Sequence, residues 1–416
     1  MTTFGSVFLL VLCLATAMRL WLGARNIAHV RAHRDTVPAE FSGDVSLEAH
    51  KRAADYTMAK THLGIVSLGI DAALVLWLTF GHGVQVIYDV AARFFDGDIA
   101  RGLTLIALVS IVTTLIELPV GLYKTFRIEE RFGFNKMTSK LYWIDLAKSA
   151  ALAALLGLPL AACVLWIMEA AGDYWWFYAW LVWIVFNLLM LAVYPTWIAP
   201  LFNRFSPMQD AELRQRVEKL LQRCGFKVKG LMVMDGSRRT SHGNAYFTGF
   251  GNSKRIVFFD TLLARLSAPE VEAVLAHELG HFRLRHVVKR IAWIFLGSLA
   301  FLWLLDQVMH QDWFYSGLGV EAQSTAIALV LFFVIAPSFT FLLQPLLSSY
   351  SRKHEFEADR YAALNASAHD LVSALVKLYK DNASTLTPDP LHSAFYDSHP
   401  PALTRIARLQ QAAPSA

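Results

Sequence analysis

The residues His277-Glu278-Leu279-Gly280-His281 form an H-E-x-x-H sequence. On a helix, residues four apart lie on one face, so both imidazoles can reach one Zn²⁺ ion. Glu278 then lies one position along, where its carboxylate can accept a proton from a water that the metal activates. The pattern therefore predicts metal-assisted hydrolysis. The alternative is a helix whose two histidines hydrogen-bond ordinary partners.

A pair of histidines needs a third protein ligand and an open position for water to make a catalytic zinc site. The segment Ser351–Asp359 offers three carboxylates. Glu355 and Asp359 are four apart and share a helical face, whereas Glu357 points roughly the opposite way. We therefore predict that Glu355 and Asp359 act as a pair, one as a ligand and one as an outer carboxylate that orients a ligand histidine. The alternative is a solvated, charged helix just past a membrane span.

Composition indicates that membrane spans position these residues. Of the 416 residues, 55% are hydrophobic and only 17% are charged, whereas soluble domains carry about 25% charged residues. This excludes a purely soluble protein and a disordered chain. Basic loops on one face explain the net charge of +5 better than a nucleic-acid partner does. The three cysteines are widely spaced, which argues against a disulfide framework and a cysteine-ligated metal.

Seven apolar runs of about 20 residues mark candidate membrane spans. They are approximately Phe4–Gly23, His62–Gly81, Gly102–Tyr123, Leu146–Ala170, Trp175–Ile198, Val288–Met309 and Ser324–Leu347. The first run could instead be a signal peptide, but no basic region precedes it and Arg19 lies near its end, so we favour a retained span. Val84–Phe94 is too short to cross the membrane and is predicted to lie at its interface.

Lysine and arginine are concentrated in alternate connections, as seven crossings require. The loops after spans one and three are basic, whereas the loops at 171–174 and 310–323 carry neither residue type. The positive-inside rule then puts the N-terminus outside and the C-terminus in the cytosol. We divide the chain into four parts, of which the second and fourth emerge together on the cytosolic side and can combine into one site. These parts are 1–198 (five spans), 199–287 (zinc helix), 288–347 (spans six and seven) and 348–416 (third ligand).

The second part is predicted to be mixed α and β. Ala211–Cys224 has helical spacing, and Gly230–Met234 and Arg255–Phe259 are typical strands. Ser237–Gly251, between the strands, is predicted to be a loop with an edge strand. Ser267-Ala268-Pro269-Glu270 is a capping box, which predicts the start of the helix that carries the two histidines.

Further segments resemble one known family. They are Glu130–Thr138, Ile198–Asn203, Asp235–Tyr246 and Ser398–Pro401 with Arg405. Together with the zinc motif they resemble the type I CAAX prenyl endopeptidases, the integral-membrane zinc proteases that process a-factor and prelamin A. The resemblance implies a mainly α, polytopic membrane protein whose seven tilted helices enclose a water-filled chamber. It also implies a small α+β gluzincin-like zinc metalloprotease domain on the cytosolic side.

The resemblance assigns the metal residues. His277, His281 and Glu355 match the ligands of one Zn²⁺ per chain, and Glu278 matches the general base. Asp359 is then the outer carboxylate of the pair.

It also assigns substrate-binding residues. Asn244 and Ala245 match an edge strand that holds the substrate by main-chain hydrogen bonds. His399 and Arg405 match groups near the scissile carbonyl and the carboxyl end of the substrate, where a cationic donor can stabilise the oxyanion. Without the resemblance, His399 is a loop histidine before two prolines and Asn244 is a turn residue after Gly243.

Polar residues in the apolar spans fit the implied chamber. Asp71, Glu117 and Asn187 lie in such spans, and polar groups at that depth usually face a polar interior. They are predicted to line the chamber. The alternative is that they form hydrogen bonds between helices.

The resemblance implies a peptide or protein substrate, with a prenylated C-terminal Cys-a-a-X sequence as the family's characteristic one, and contact with membrane lipid. It implies the inner membrane of a bacterium, or the endoplasmic reticulum of a eukaryote. A bacterial host would lack prenylated proteins, so the alternative is a quality-control protease of membrane proteins. A secondary transporter is disfavoured because the sequence contains no inverted repeats or paired broken helices. A catalytically silent scaffold is disfavoured because all ligands and the base are present.

Overall fold

A computed structural model describes residues 2–248 and 255–412 of the chain. Within these ranges the protein is mostly helical, as predicted. Its helices are α1 (Thr3–Ala32), α2 (Leu47–Leu78), α3 (Gly83–Ala92), α4 (Asp98–Tyr123), α5 (Ser139–Ala170), α6 (Trp175–Val193), α7 (Ala199–Phe202), α8 (Ala211–Arg223), α9 (Asp260–Leu263), α10 (Ala268–Arg283), α11 (His286–Val308), α12 (Asp312–Gly317), α13 (Thr325–Thr340), α14 (Gln344–Asn365), α15 (Ala368–Asp381), α16 (Pro390–Tyr396) and α17 (Ala402–Ala412). The strands are β1 (Phe205–Pro207), β2 (Gly230–Met234), β3 (Ala245–Thr248) and β4 (Arg255–Phe259).

Seven helical segments of the described chain are long and apolar enough to cross a membrane, which confirms the predicted number. They are Thr3–Ala32, Leu47–Leu78, Asp98–Glu129, Ser139–Ala170, Gly172–Phe202, His286–Val308 and Thr325–Asn365. Most of these segments extend beyond the apolar runs at one end or both. The short run predicted to lie at the interface is helix α3.

Several spans are little buried, which is consistent with the predicted chamber. Only 6% of the apolar windows of spans three, five and six is buried, whereas a tightly packed bundle would bury the inner face of every helix. The buried apolar cluster of the membrane part includes Phe8, Leu105, Leu165 and Leu331, which join spans one, three, four and seven. The amide of Asn187 donates to the carbonyl of Trp183 in its own helix.

The structure tests the predicted alternative for the polar residues of the spans, which is hydrogen bonding between helices. In the part of the chain that the structure describes, neither Asp71, Glu117 nor Asn187 hydrogen-bonds another helix. The alternative of hydrogen bonds between helices is therefore not found there.

A four-stranded sheet has the order β1-β2-β4-β3 among the described residues. β2 and β4 are parallel, and β3 pairs antiparallel with β4 with Ala245 opposite Phe258. Both predicted strands are confirmed at their bounds, and the predicted edge strand is β3; residues 249–251 of that prediction lie outside the described residues. β1 was not predicted. It contains Pro207, which lacks an N–H and is tolerated because β1 is an edge strand.

One apolar core holds the sheet against the helices that carry the candidate site. Val217 of α8, Phe258 of β4, Leu275 and Leu279 of α10 and Ala362 of α14 are buried together in it. This core brings the second and fourth parts of the chain together, although the two membrane crossings of spans six and seven separate them in the sequence. The cysteines Cys13, Cys163 and Cys224 are free, as predicted.

Candidate metal centre

Helix α10 presents the two histidines of the H-E-x-x-H sequence to one point. The helix begins with the predicted capping box, in which Ser267 and Glu270 satisfy each other's backbone N–H groups, with Pro269 in the first turn. His277 and His281 follow on one face, and their Nε2 atoms lie 3.2 Å apart. His277 is buried, and the side chain of His281 is 19% exposed.

Glu355 reaches this point from helix α14 because α10 and α14 pack very closely. A Cβ atom added at Gly280 would lie 3.0 Å from the Cα of Ala358 and 3.0 Å from the Cβ of Tyr361. These distances are shorter than most Cβ contacts, so glycine allows the two helices to approach without displacement. This approach brings one carboxylate oxygen of Glu355 to 3.5 Å from His277 Nε2, and the other to 3.4 Å from His281 Nε2.

These three residues fit a tetrahedral divalent ion. Ligand atoms at about 2.0–2.1 Å from such an ion are about 3.3–3.4 Å from one another. The separations of 3.2, 3.4 and 3.5 Å within the group agree with that spacing. The Oε2 atom of Glu355 is buried without a hydrogen-bond partner, which is costly unless a cation interacts with it. The donor set of two imidazoles and a carboxylate leaves one position open for water.

Asp359 and Arg405 lie behind His277. The Oδ1 atom of Asp359 is 2.9 Å from His277 Nδ1, and the Arg405 guanidinium binds both oxygens of Asp359 at 2.9 and 2.5 Å. Burial alone would lower the pKa of His277, but hydrogen bonds to Asp359 and Glu355 outweigh it and raise the pKa to about 9. With Nδ1 held by Asp359, Nε2 is the nitrogen left to bind an ion.

The guanidinium of Arg405 is therefore paired with the carboxylate of Asp359. The side chain of Arg405 is buried, and its Nη1 atom lies 3.9 Å from Glu355. The sequence was interpreted as placing Arg405 near the carboxyl end of a substrate. The structure places it at the metal group, with its Nε and Nη2 donors on Asp359.

Glu278 and His399 lie beside the group. Glu278 is half-buried, and within the described chain its carboxylate forms no hydrogen bond or ion pair. His399 Nε2 is 3.5 Å from Glu355 Oε1, and its side chain is 63% exposed. Ser398 Oγ is 3.1 Å from its Nδ1 atom.

Asn244 and Ala245 lie at the start of β3, an edge strand. The Asn244 carbonyl accepts a hydrogen bond from the Phe259 N–H, and its side-chain oxygen accepts one from the Ala245 N–H. No hydrogen bond in the described chain joins either residue to the metal group. Ala245 and Phe247 pack on the core that contains α10, so β3 and the helix that carries the two histidines pack on the same core.

A cavity of about 630 Å³ lies between residues beside the metal group and the first two membrane spans. It is lined by His399 and Arg405 on one side, and by Asn26 of α1 and by Thr57 and Lys60 of α2 on the other. A molecule bound beside the metal group can therefore also contact the first two spans.

Sequence reasoning missed two further residues, His286 and Glu357. His286 Nδ1 is 3.0 Å from His281 Nδ1, and His286 Nε2 is 2.9 Å from Glu357 Oε2. His286, His354 and Glu357 also form a second group of ligand-type residues. The one available signal was the presence of another histidine shortly after the zinc motif.

Two family models match adjacent parts of the chain. The one described as CAAX prenyl protease N-terminal, five membrane helices, matches residues 26–204, and the one described as peptidase family M48 matches residues 207–413.

Similar proteins cover nearly the same length. The chain is 35% identical to CAAX prenyl protease 1 homolog of Arabidopsis thaliana over 89% of each chain. It is 31% identical to CAAX prenyl protease 1 homolog of Homo sapiens over 97% of this chain and 95% of that protein. The crystal structure of S. mikatae Ste24p superposes with a TM-score of 0.92 and 30% identity, covering 98% of this chain and 99% of that one.

Proposed function

The chain belongs to peptidase family M48, with the membrane domain of the CAAX prenyl proteases, and is a multi-pass membrane metalloendopeptidase; we propose that its metal is zinc and its substrate a C-terminal Cys-a-a-X peptide. The observation that carries the proposal is the convergence of His277, His281 and Glu355 at tetrahedral spacing. Two imidazoles with one carboxylate are a ligand set typical of catalytic zinc.

The residues around the ion have distinct roles in this proposal. His277, His281 and Glu355 would hold zinc, which would supply Lewis-acid activation of the scissile carbonyl and of a water. Glu278 accepts the proton of that water and passes it to the leaving amine. Its carboxylate suits this role because it lies next to a ligand and has no partner of its own in the described chain. His399 donates a hydrogen bond to the oxygen that becomes negative, since its ring lies beside Glu355 and faces the cavity.

Asp359 and Arg405 hold His277 in place. The buried pair keeps the Nδ1 proton of His277 on the side away from the ion. Arg405 acts in this proposal mainly through Asp359, because two of its nitrogen atoms already bind that carboxylate.

The substrate binds as an added strand along β3. Asn244 and Ala245 begin this edge strand, whose outer main-chain groups can pair with an extended peptide. The cavity between the metal group and α1 and α2 suits a substrate whose cleaved end is attached to the membrane. Hydrolysis of a prenylated Cys-a-a-X end, with release of the a-a-X tripeptide, meets both conditions. The relatives named CAAX prenyl protease support this choice.

The active site faces the cytosol in this proposal. The basic loops after spans one and three, and the absence of lysine and arginine from 310–323, support this orientation. In a cysteine-free background, Gln209→Cys should be labelled only from the cytosol and Gln311→Cys only from outside. The reverse pattern would contradict the orientation. In a bacterial host the membrane is the inner membrane.

One set of measurements tests the proposal. The detergent-purified protein should contain one zinc per chain and cleave a prenylated Cys-a-a-X peptide faster than its unprenylated twin. Glu278→Gln should retain zinc and lose nearly all turnover, whereas His281→Ala should lose zinc.

The outcomes separate the parts of the proposal. Full activity of Glu278→Gln would remove Glu278 from the general-base role. Equal cleavage of both peptides, or cleavage of unrelated membrane proteins only, would favour the quality-control function over Cys-a-a-X processing. Retained zinc in His281→Ala would contradict the ligand set.

A further inference from the structure

We propose that His286 and Glu357 are positioning residues of the metal centre: a chain of hydrogen bonds from Glu357 through His286 to His281 fixes which nitrogen of His281 is free to bind the ion. The inference rests on the proposed metal site. Its test uses metal affinity, so that it can fail while the proposed function stands.

The chain of contacts is continuous and mostly buried. Glu357 Oε2 lies 2.9 Å from His286 Nε2, and His286 Nδ1 lies 3.0 Å from His281 Nδ1. The His286 side chain is 4% exposed, so water cannot readily replace either partner. Glu357 is the solvent-facing end of this series of hydrogen bonds, and its side chain is 37% exposed.

The direction of each hydrogen bond follows from the carboxylate. An ionised carboxylate only accepts, so the His286 proton is on Nε2. His286 Nδ1 then has a lone pair, which accepts a proton from Nδ1 of His281. Nε2 of His281 is left unprotonated, and this is the atom that lies 3.2 Å from His277 Nε2 and 3.4 Å from Glu355. A histidine binds a metal through an unprotonated nitrogen.

Each ligand histidine thus has its own carboxylate behind it. Asp359 contacts His277 directly and is paired with Arg405. Glu357 contacts His281 through His286, and no lysine or arginine within the described residues forms an ion pair with it. Hydrogen-bonded carboxylates behind metal-bound histidines fix the ring orientation and raise the basicity of the ligand. Both Asp359 and Glu357 should therefore contribute to metal affinity.

A second metal site is the other interpretation of His286, His354 and Glu357. The rings of His286 and His354 are stacked, with centroids 4.0 Å apart and planes within 7° of parallel. Imidazole lone pairs lie in the ring plane, and an ion binds at about 2 Å from nitrogen. One ion cannot lie in two stacked planes at once, so the stack disfavours a shared ion. The hydrogen-bond chain uses both nitrogens of His286 instead.

The two stacked histidines provide a matched pair of variants. His286→Phe and His354→Phe each replace one ring of the stack by another ring. Only His286 belongs to the series of hydrogen bonds that reaches the ion. The zinc dissociation constant of the full-length, detergent-purified protein is measured by competition with a chelator. We expect His286→Phe to weaken zinc binding about 10–100-fold. His354→Phe should stay within about threefold of the unmodified protein.

Two more variants distinguish positioning from folding. In His286→Asn the side-chain oxygen can still accept the His281 proton, so zinc affinity should be partly restored relative to His286→Phe. Glu357→Leu changes a half-exposed side chain and should fold even if His286→Phe does not. We expect it to weaken zinc binding about tenfold, at the lower end of the range for such residues.

The inference is overturned if His286→Phe or Glu357→Leu binds zinc as the unmodified protein does. It is also overturned if the unmodified protein binds a second zinc that His354→Phe removes, since that result identifies the second metal site. Absence of any tight zinc site in the unmodified protein, or tight binding that survives Glu355→Ala, would instead contradict the proposed function.

Discussion

Gly280 is the point at which the two halves of the metal centre meet, and we expect Gly280→Ala to weaken zinc binding. The added Cβ atom would lie 3.0 Å from the Cα of Ala358, 3.0 Å from the Cβ of Tyr361 and 3.2 Å from the Ala358 carbonyl oxygen. Carbon atoms in contact are normally about 3.5–4.0 Å apart. Helix α14 must therefore move away from α10 by a few tenths of an ångström, because two of the three obstacles are backbone atoms.

This displacement is large for a metal site. Ala358 lies three residues from Glu355 on the same helical face, so Glu355 moves with it away from the two histidines. Metal–ligand distances hold to about ±0.2 Å, and loss of good geometry at one ligand should reduce zinc affinity about tenfold or more. Overpacking of a close helix contact should also cost about 1–3 kcal/mol in the free energy of unfolding.

The assay compares Gly280→Ala with Gly297→Ala. Gly297 is also inside a helix, but an added Cβ atom there would have no neighbour within 4 Å. Chelator competition gives zinc affinity, and thermal unfolding with and without zinc separates the loss of metal from the loss of packing. If Gly280→Ala binds zinc as tightly as Gly297→Ala does, the close approach at Gly280 does not set the position of Glu355.

Three further predictions concern neighbouring residues. Arg405→Ala should lower the free energy of unfolding by about 3–5 kcal/mol, because it leaves the carboxylate of Asp359 buried without its cation; chemical denaturation should show this, and adding Asp359→Leu should recover part of the loss. His399→Ala should keep zinc affinity but lower kcat about 10²–10³-fold, and loss of zinc in this variant would make His399 a ligand instead. Burial raises the pKa of Glu270, but its hydrogen bond with Lys377 and those with nearby serines outweigh it and lower the pKa to about 2. Because this folded-state pKa is below the unfolded value, the stabilisation is present above about pH 4.5 and is lost as pH falls toward 2. The unmodified protein should therefore have a higher free energy of unfolding than Glu270→Gln at neutral pH, and chemical denaturation should show this difference shrinking below about pH 4.

Features set by nearby residues could be predicted from the sequence. The capping box at Ser267 set the start of α10, and helical spacing placed His277 and His281 on one face. The strands Gly230–Met234 and Arg255–Phe259 were recognisable because β-branched and aromatic residues fill them. Spacing on α14 also paired Glu355 with Asp359, and the structure brings both to His277.

The sequence did not reveal His286, for a reason that lies in the backbone. His286 is five residues after His281, so a continued helix would place the two on different faces. The chain instead turns at Arg285, whose φ angle is 57°, and begins α11 at His286. A non-glycine residue in this region is uncommon, and nothing in the local sequence predicts it. The turn brings the two Nδ1 atoms to 3.0 Å.

Helix spacing gave the direction of Glu357 but not its partner. Glu357 was predicted to point roughly away from the face of Glu355 and Asp359. Because α11 starts beside the metal group, the face of α14 that carries Glu357 contacts His286. The partner of a charged side chain on a helix depends on which element packs against that face, and this depends on contacts between residues far apart in the sequence.

The connection between the metal group and the membrane spans is the last consequence of this arrangement. Two ligands lie on α10, which is joined to span six by a turn of two residues, Leu284 and Arg285. The third lies on α14, which follows α13 after the three residues 341–343, within the span-seven segment Thr325–Asn365. The distance between the histidines and Glu355 is thus coupled to the relative position of two spans. Because a ligand shift of a few tenths of an ångström already weakens metal binding, a change that displaces span six against span seven should act on the centre as Gly280→Ala does.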